Sequence, residues 1–137
     1  MKNKKGFTLI ELLAVIIVLG TLATIFVPNT IKLLRENNLK IYKIKESELL
    51  KAAKSYAEYD EDFTPPTASE ERYITMPQLV SKNYMSKILD TTSGSECDAF
   101  VKVTLNNVYG YNYEACLLCD EYVTDKEFCT SSTYKNL

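Results

Sequence analysis

The order of hydrophobic and polar positions divides the chain into three parts. From Phe7 to Val27 there are 21 residues, and Glu11 is the only charged one. Such a run is long enough to cross a bilayer as a helix. After Pro28 the apolar positions recur every three, four or seven residues, which is typical of an amphipathic helix. Towards the C-terminus they alternate instead, which predicts β-strands.

The second part predicts that the helix continues from Phe7 to about Tyr59, which would make it about 80 Å long at 1.5 Å per residue. Lysines and glutamates alternate between its apolar positions, and this mixture indicates a solvated face better than a basic surface for membranes or nucleic acid. Two prolines in "YDEDFTPPTASEE" then end the helix. The apolar stripe consists of Leu34, Asn38, Ile41 or Tyr42, Leu49, Ala52, Ala53 and Tyr56.

The third part predicts a small head that mixes helix and strand. Thr75 can cap a helix and Pro77 is tolerated in its first turn, so a short helix is expected from about Met76 to Lys82. The segment "AFVKVTLNNVYGYNYEACLLC" alternates and predicts an antiparallel hairpin, which turns at Asn106–Asn107 or near Gly110.

The hairpin is expected to lie across the helix and to bury the stripe between Leu49 and Tyr56. A third short strand is expected near Tyr122 to Thr124. The predicted fold class is therefore α+β, with a long N-terminal α-helix packed by a small antiparallel β-sheet.

Composition and charge narrow the possible functions. The chain of 137 residues has a formal net charge of −2, and without its first six residues it would carry −5. This balance gives no general electrostatic reason to bind nucleic acid. Histidine, the commonest proton shuttle at neutral pH, is absent. No motif for catalysis or for a cofactor stands out.

Glu11 is unexpected in an apolar run that could span a membrane. A charge at the centre of such a helix costs on the order of 3 kcal/mol, and an intramembrane acid usually has a partner. The nearest bases upstream are Lys4 and Lys5, and Lys32 lies far downstream. A cleaved secretory signal and a plain signal anchor remain alternatives for this segment, but neither explains the carboxylate.

The stretch "KKGFTLIELLAVI" resembles the processing and assembly motif of type IV pilins and pseudopilins. The resemblance implies that a prepilin peptidase cuts between Gly6 and Phe7, and that the new N-terminal Phe7 is N-methylated. Glu11 would then pair with the positive amine of Phe7, on its own or a neighbouring subunit. Gly20 and Pro28 match the residues that bracket a segment which loses helical structure in some filaments of this family; a simple kink at Pro28 is the alternative.

The resemblance also implies a domain organisation and a cellular role. Residues 1–6 would be the leader, 7–28 the transmembrane and polymerisation helix, 29–60 the amphipathic half of the stalk, and 61–137 the head. The chain would be a non-enzymatic subunit without cofactors, held in the cytoplasmic membrane and then assembled with other pilins by a platform into an extracellular filament. Adhesion, motility, DNA uptake and secretion are the expected tasks, and direct binding of nucleic acid is not.

Four cysteines allow more than one kind of site. An even set outside the cytoplasm indicates two disulfides with three possible connectivities. A turn at Asn106–Asn107 would place Cys97 opposite Cys116, and a slightly later turn would place it opposite Cys119. Because Cys116 and Cys119 differ in strand parity, a bond between those two is not expected.

The pattern of the hairpin is similar to a disulfide-clamped hairpin in small pilin-like proteins of Gram-positive type. This similarity implies the pairs Cys97–Cys119 and Cys116–Cys129. The alternative function is a membrane-tethered binding module whose head holds zinc through the four cysteines, although only one C-x2-C is present. A redox enzyme that uses Cys116 and Cys119 is a third reading.

Overall fold

The computed structural model describes residues 6–137, apart from the side chain of Pro28. The chain forms two units, which divide between Asn38 and Leu39. A long N-terminal helix and a small antiparallel sheet give the α+β class that the sequence predicts. The elements in chain order are α1 (Leu9–Tyr59), β1 (Glu71–Thr75), α2 (Met76–Ser81), β2 (Asp98–Asn106), β3 (Gly110–Leu118) and α3 (Ser131–Lys135).

The first unit contains the N-terminal part of α1. The helix begins at Leu9, two residues after the predicted start, and its backbone stays helical from Gly20 through Pro28. The hydroxyl of Thr21 donates to the carbonyl of Val18 at 2.8 Å, and that of Thr24 donates to the carbonyl of Thr21 at 2.7 Å. The two hydroxyls are therefore satisfied within the helix, as an apolar environment requires.

The second unit, residues 39–137, has its core between α1 and the sheet, as the sequence predicts. Leu49 and Ala53 of α1 are fully buried and belong to the same hydrophobic cluster as Val101 and Val103 of β2. Among the stripe residues, Tyr42 is buried, whereas Ile41 is 40% exposed and Leu34, in the first unit, is 57% exposed. The buried stripe of this unit thus begins at Tyr42.

The sheet has the strand order β1-β2-β3 with antiparallel pairs. In the hairpin, Asn106 pairs with Gly110, so residues 107–109 form the loop. Gly110 has φ +88°, a backbone conformation that glycine adopts without strain. The turn is therefore at the later of the two predicted places.

The third strand of the sheet is not the one predicted near Tyr122 to Thr124. It is β1, which pairs with β2 through contacts such as Ile74 opposite Val101. At the predicted place near Tyr122 to Thr124 the chain makes only the isolated bridge between Leu118 and Val123. The reason is that β1 is a five-residue strand with one buried residue, too short to show a clear alternation.

The short helix α2 confirms the prediction for this segment. Thr75 is its N-cap residue, and the side chain of Gln78 accepts the backbone N–H of Thr75 at 2.9 Å. Helix α3 was not predicted, and it lies against the opposite face of the sheet. There Tyr134 of α3 stacks near Phe100 with ring centroids 6.3 Å apart, in a second small cluster that includes Cys116 and Cys129.

Candidate functional site

The predicted cleavage point precedes the first turn of α1. Gly6 and Phe7 are exposed, and the side chain of Phe7 is 90% accessible. A Cβ added to Gly6 would meet no atom within 4 Å. Packing within residues 6–137 therefore does not require a glycine at this position. Lys2, Lys4 and Lys5 lie outside the described residues.

Glu11 closes the first turn of α1 together with Thr8. Its carboxylate accepts the backbone N–H of Thr8 at 2.8 Å and the Thr8 hydroxyl at 3.0 Å. In return, the backbone N–H of Glu11 points to the hydroxyl oxygen of Thr8 at 3.4 Å. These reciprocal bonds form a capping box, which satisfies donors that the start of a helix otherwise leaves free.

Thr8 is a site residue that sequence reasoning missed. The signal was present, because Thr-x-x-Glu directly before an apolar run is the sequence signature of a capping box. The cap also explains why α1 begins at Leu9 rather than at Phe7.

The carboxylate of Glu11 has no charged partner in the described part of the chain. No lysine or arginine nitrogen among residues 6–137 lies within 4.0 Å of it, whereas seven such pairs occur elsewhere. Glu11 itself is exposed. Thr8 thus fixes the position of the carboxylate and leaves its charge uncompensated.

The apolar residues that follow Glu11 form no core within the first unit. One 18-residue window of α1 is apolar enough to cross a membrane, and none of that window is buried in the structure. A surface of this kind marks contact with lipid or with other proteins. Its large members from Leu12 to Val27 are Leu12, Leu13, Val15, Ile16, Ile17, Val18, Leu19, Leu22, Ile25, Phe26 and Val27.

Gly20 lies on this exposed surface. An added Cβ at Gly20 would meet no atom within 4 Å, so packing within the described chain does not explain the glycine. In a helix interior glycine costs about 1 kcal/mol relative to alanine. Gly20 therefore weakens α1 locally.

All four cysteines of the head are joined in disulfides. The bonds are Cys97–Cys119 and Cys116–Cys129, the two pairs that the resemblance implies. Cys97–Cys119 continues the hairpin register one residue beyond the pair of Asp98 with Leu118. The other bond holds the C-terminal segment against the opposite face of the sheet. A four-cysteine zinc site is not favoured, because its thiolates are consumed in these bonds.

Asp90 lies beside the first disulfide and organises the loops around it. Its side chain accepts backbone N–H groups from Thr92 at 2.7 Å, Ser93 at 3.0 Å and Glu121 at 3.1 Å. Burial of Asp90 acts to raise the pKa of its carboxyl, but these donors outweigh it and lower the pKa to about 2. The carboxylate is thus a structural acceptor that links two loops.

Comparison with known proteins concerns the N-terminal part alone. Residues 1–27 match the family model described as the prokaryotic N-terminal methylation motif. No significant similarity of the chain to a curated protein or to a solved structure was found. The match includes Gly6, Phe7 and Glu11, and together with the exposed apolar helix it supports a pilin-like secreted subunit. The chain therefore carries, at residues 1–27, the class III signal of type IV pilins and pseudopilins.

Proposed function

We propose that the chain is a structural subunit of a type IV pilus or a related extracellular filament. Prepilin peptidase cleaves it between Gly6 and Phe7, and it polymerises through the N-terminal part of α1. The observation that carries the proposal is the matched motif at residues 1–27, in which Glu11 is held at the start of an apolar helix without a charged partner in the described chain.

Cleavage between Gly6 and Phe7 supplies the positive charge that pairs with Glu11. Hydrolysis of the bond between Gly6 and Phe7 gives Phe7 a free amine, and N-methylation leaves that amine protonated and positive. Thr8 keeps the carboxylate of Glu11 at the first turn, close in sequence to this amine. The ion pair forms within one subunit or between neighbours, and it forms away from water in the filament. Loss of one partner from a buried pair costs about 3–5 kcal/mol.

Before assembly the precursor is a single-pass membrane protein with its head outside. We assign residues 1–6 to the leader, 7–28 to the membrane helix, 29–60 to the rest of the stalk and 61–137 to the head. Each disulfide of the head fits this location, since such bonds persist in oxidising compartments. They close loops with sequence separations of 22 and 13 residues, worth about 3 kcal/mol each.

The partners are other pilins, the peptidase and an assembly platform. The chain has a structural role and uses no cofactor. Its filament serves adhesion, motility, DNA uptake or secretion. A membrane-tethered zinc module is the weaker candidate, because the cysteines that would bind the metal are paired.

Intact mass of the chain from native cells tests the proposal. We expect loss of residues 1–6, a gain of one methyl on Phe7 and a deficit of four hydrogens for the two disulfides. We also expect the processed chain in sheared filaments. A chain that keeps residues 1–6 and stays in the membrane would overturn the assignment.

A further inference from the structure

A groove opens in the second unit between α1 and the loop that follows α2. It has a volume of about 670 Å³ and is lined by α1 residues from Lys45 to Ser55 and by loop residues from Tyr84 to Leu89. Ala52 and Ile88 form part of its apolar floor, since both are buried. We call it the lysine groove because its charged lining consists of Lys45, Lys51, Lys87 and Glu48.

One lysine of the lysine groove, Lys51, has no carboxylate partner among the described residues. Lys45 donates to the backbone carbonyl of Leu89, and Lys87 pairs with Glu96 at 2.8 Å. Lys51 is exposed, and no carboxylate of residues 6–137 lies within 4.0 Å of its ammonium. An apolar floor beside cations suits an acidic segment that has an exposed apolar residue.

The head itself has such a segment at residues 120–127, which we call the acidic segment. Asp120, Glu121, Asp125 and Glu127 are exposed there. Within the part of the chain that the structure describes, none of these four carboxylates has a cation within 4.0 Å. Val123, in the middle of the segment, is 52% exposed. The segment thus offers the groups that the lysine groove lacks.

Charge is unevenly distributed over the second unit: basic residues prevail in its part of α1, and acidic residues prevail in the rest. Residues 39–59 carry five lysines and three glutamates, whereas residues 60–137 carry six basic and thirteen acidic residues. Complementary patches on one molecule attract when two copies lie side by side. A lysine-rich helix and an acidic remainder therefore favour contact between copies of this chain over contact with an unrelated anion.

The two surfaces are centred on different sides of α1, and they adjoin where Lys45 of the groove lies over the Tyr42 ring at 5.9 Å. Tyr122 of the acidic segment stacks on Tyr42 with ring centroids 4.6 Å apart and donates to Glu46 at 2.9 Å. At 3.6 residues per turn, positions 42 and 46 are centred roughly 140° around the helix from the five α1 positions of the lysine groove. One copy can therefore offer its groove to a neighbour and its acidic segment to another neighbour.

We propose that the lysine groove of one subunit binds the acidic segment of a second copy. Val123 would enter the groove above Ala52 and Ile88, and Glu121 and Asp125 would face Lys51 and its neighbouring lysines. Because the two surfaces differ, the contact is heterologous and repeats without closing on itself. The inference deepens the proposed function, on which it rests, by naming a contact between heads in the filament.

A photo-crosslinker in place of Val123 tests the contact in the full-length chain. A benzophenone amino acid is incorporated at this position, and the cells are moved from normal to heavy-nitrogen medium before assembly, so that both isotopic forms of the subunit share one membrane. We expect crosslinked peptides of mixed isotope content that join residue 123 to the groove loop near Met85. Crosslinks to another part of the head, to a different protein, or none at all would overturn the docking proposal.

Charge reversal sharpens the test. Lys51→Glu should lower the crosslink yield roughly fivefold, because attraction to two carboxylates becomes repulsion. Glu121→Lys with Asp125→Lys should restore the yield when combined with Lys51→Glu. The matched control is Lys43→Glu, which changes an exposed lysine of the same helix outside the groove. An equal loss in the control, or no recovery in the combined variant, would contradict the pairing.

The processed state separates this proposal from the proposed function. Each variant is also scored for removal of residues 1–6 and for the four-hydrogen deficit that reports both disulfides. Processed, disulfide-bonded subunits in filaments without the crosslink would refute the docking site alone. Unprocessed chains outside filaments would refute the function, and a residue 123–groove crosslink in their membranes would still support the contact.

Discussion

Glu11 and Asp90 are both carboxylates held by backbone N–H groups, but their settings are opposite. Asp90 is 3% exposed and receives three backbone N–H groups from loops of the head. Glu11 is exposed and receives one backbone N–H and the hydroxyl of Thr8. The head thus satisfies its buried acid with its own atoms, whereas the first unit positions an acid whose charge has no partner among the described residues.

The two units also differ in how far their apolar residues are buried. In the second unit, Leu49, Phe100 and Leu117 are fully buried. In the first unit the apolar residues from Leu9 to Val27 are exposed. The second unit thus covers its own apolar core, whereas the described residues of the first unit leave their apolar surface uncovered.

The largest effect is expected from Gly6→Leu. Since a Cβ added at Gly6 meets no atom of the described residues within 4 Å, the head should fold normally while peptidase cleavage stops. Mass spectrometry should find the full leader and both disulfides on the variant. Gly20→Leu is the matched control and should be trimmed normally, because Gly20 is equally open. Normal trimming of the Gly6 variant would contradict the cleavage assignment.

A nearly complete loss of assembly is expected from Glu11→Gln, which removes the charge and keeps the shape. The amine of Phe7 would then enter the filament without its partner, at a cost of about 3–5 kcal/mol. Membrane insertion and cleavage should persist, so processed chain should accumulate in membranes. The control is Glu36→Gln, the same change at another exposed glutamate of α1. Wild-type filament yield for Glu11→Gln would refute the ion-pair account, which Glu11→Val tests in the same way.

Gly6 and Glu11 show how much of the candidate site could be predicted from the sequence. The apolar run, Gly6, Phe7 and Glu11 form a local pattern, so the helix and the motif could be predicted from adjacent residues. The partner of Cys97 depended instead on where the hairpin turns, and the structure has the turn at residues 107–109, directly before Gly110 with its positive φ. The alternation of apolar and polar residues does not by itself show the position of a turn.

Long-range contacts explain the errors. The strand β1 is stabilised by pairing with β2, about 30 residues later in the chain, and its own five residues carry little β signal. The helix α3 has no buried residue and is held beside the sheet by a disulfide at Cys129. The carboxylate of Asp90 gains its role from Glu121 on a distant loop. None of these contacts has a local signature.

Loss of one disulfide should weaken the head without affecting the first unit. The double variant Cys116→Ser and Cys129→Ser should lower the free energy of unfolding by about 3 kcal/mol, because the denatured chain loses a closed loop and gains conformational entropy. Denaturant titration of the detergent-solubilised chain, followed by tyrosine fluorescence, measures this. Leader removal should be unchanged. Reduced trimming of the variant would show that head and leader are not independent.

Acid should weaken the head before it affects the helix. The pKa of Asp90 is lowered to about 2 in the folded head, so its contribution is fully present above the ordinary pKa of aspartate. It is lost as the pH falls from about 4 to 2. Unfolding midpoints measured over this range should fall, and Asp90→Asn should flatten the dependence. Asp125→Asn, at an exposed aspartate, is the control and should keep the wild-type slope.

The smallest effect is expected at Thr8, where the two roles of the first turn can be separated. Thr8→Val removes the hydroxyl but keeps the backbone N–H that binds Glu11 at 2.8 Å. Loss of a cap of this kind costs about 1 kcal/mol, so the amides of Glu11 and Leu12 should exchange faster with solvent in micelles. Thr8→Ser keeps the hydroxyl and should restore slow exchange.

Assembly distinguishes two explanations for the Thr8–Glu11 bonds. If Thr8 only positions the carboxylate, Thr8→Val should lower filament yield a few-fold, far less than Glu11→Gln does. If Thr8→Val abolishes filaments as completely as Glu11→Gln, the hydroxyl takes part in the charge pair itself. The ratio of the filament yields of Thr8→Val and Glu11→Gln therefore shows whether Thr8 acts only as a helix cap or also takes part in the proposed charge pair.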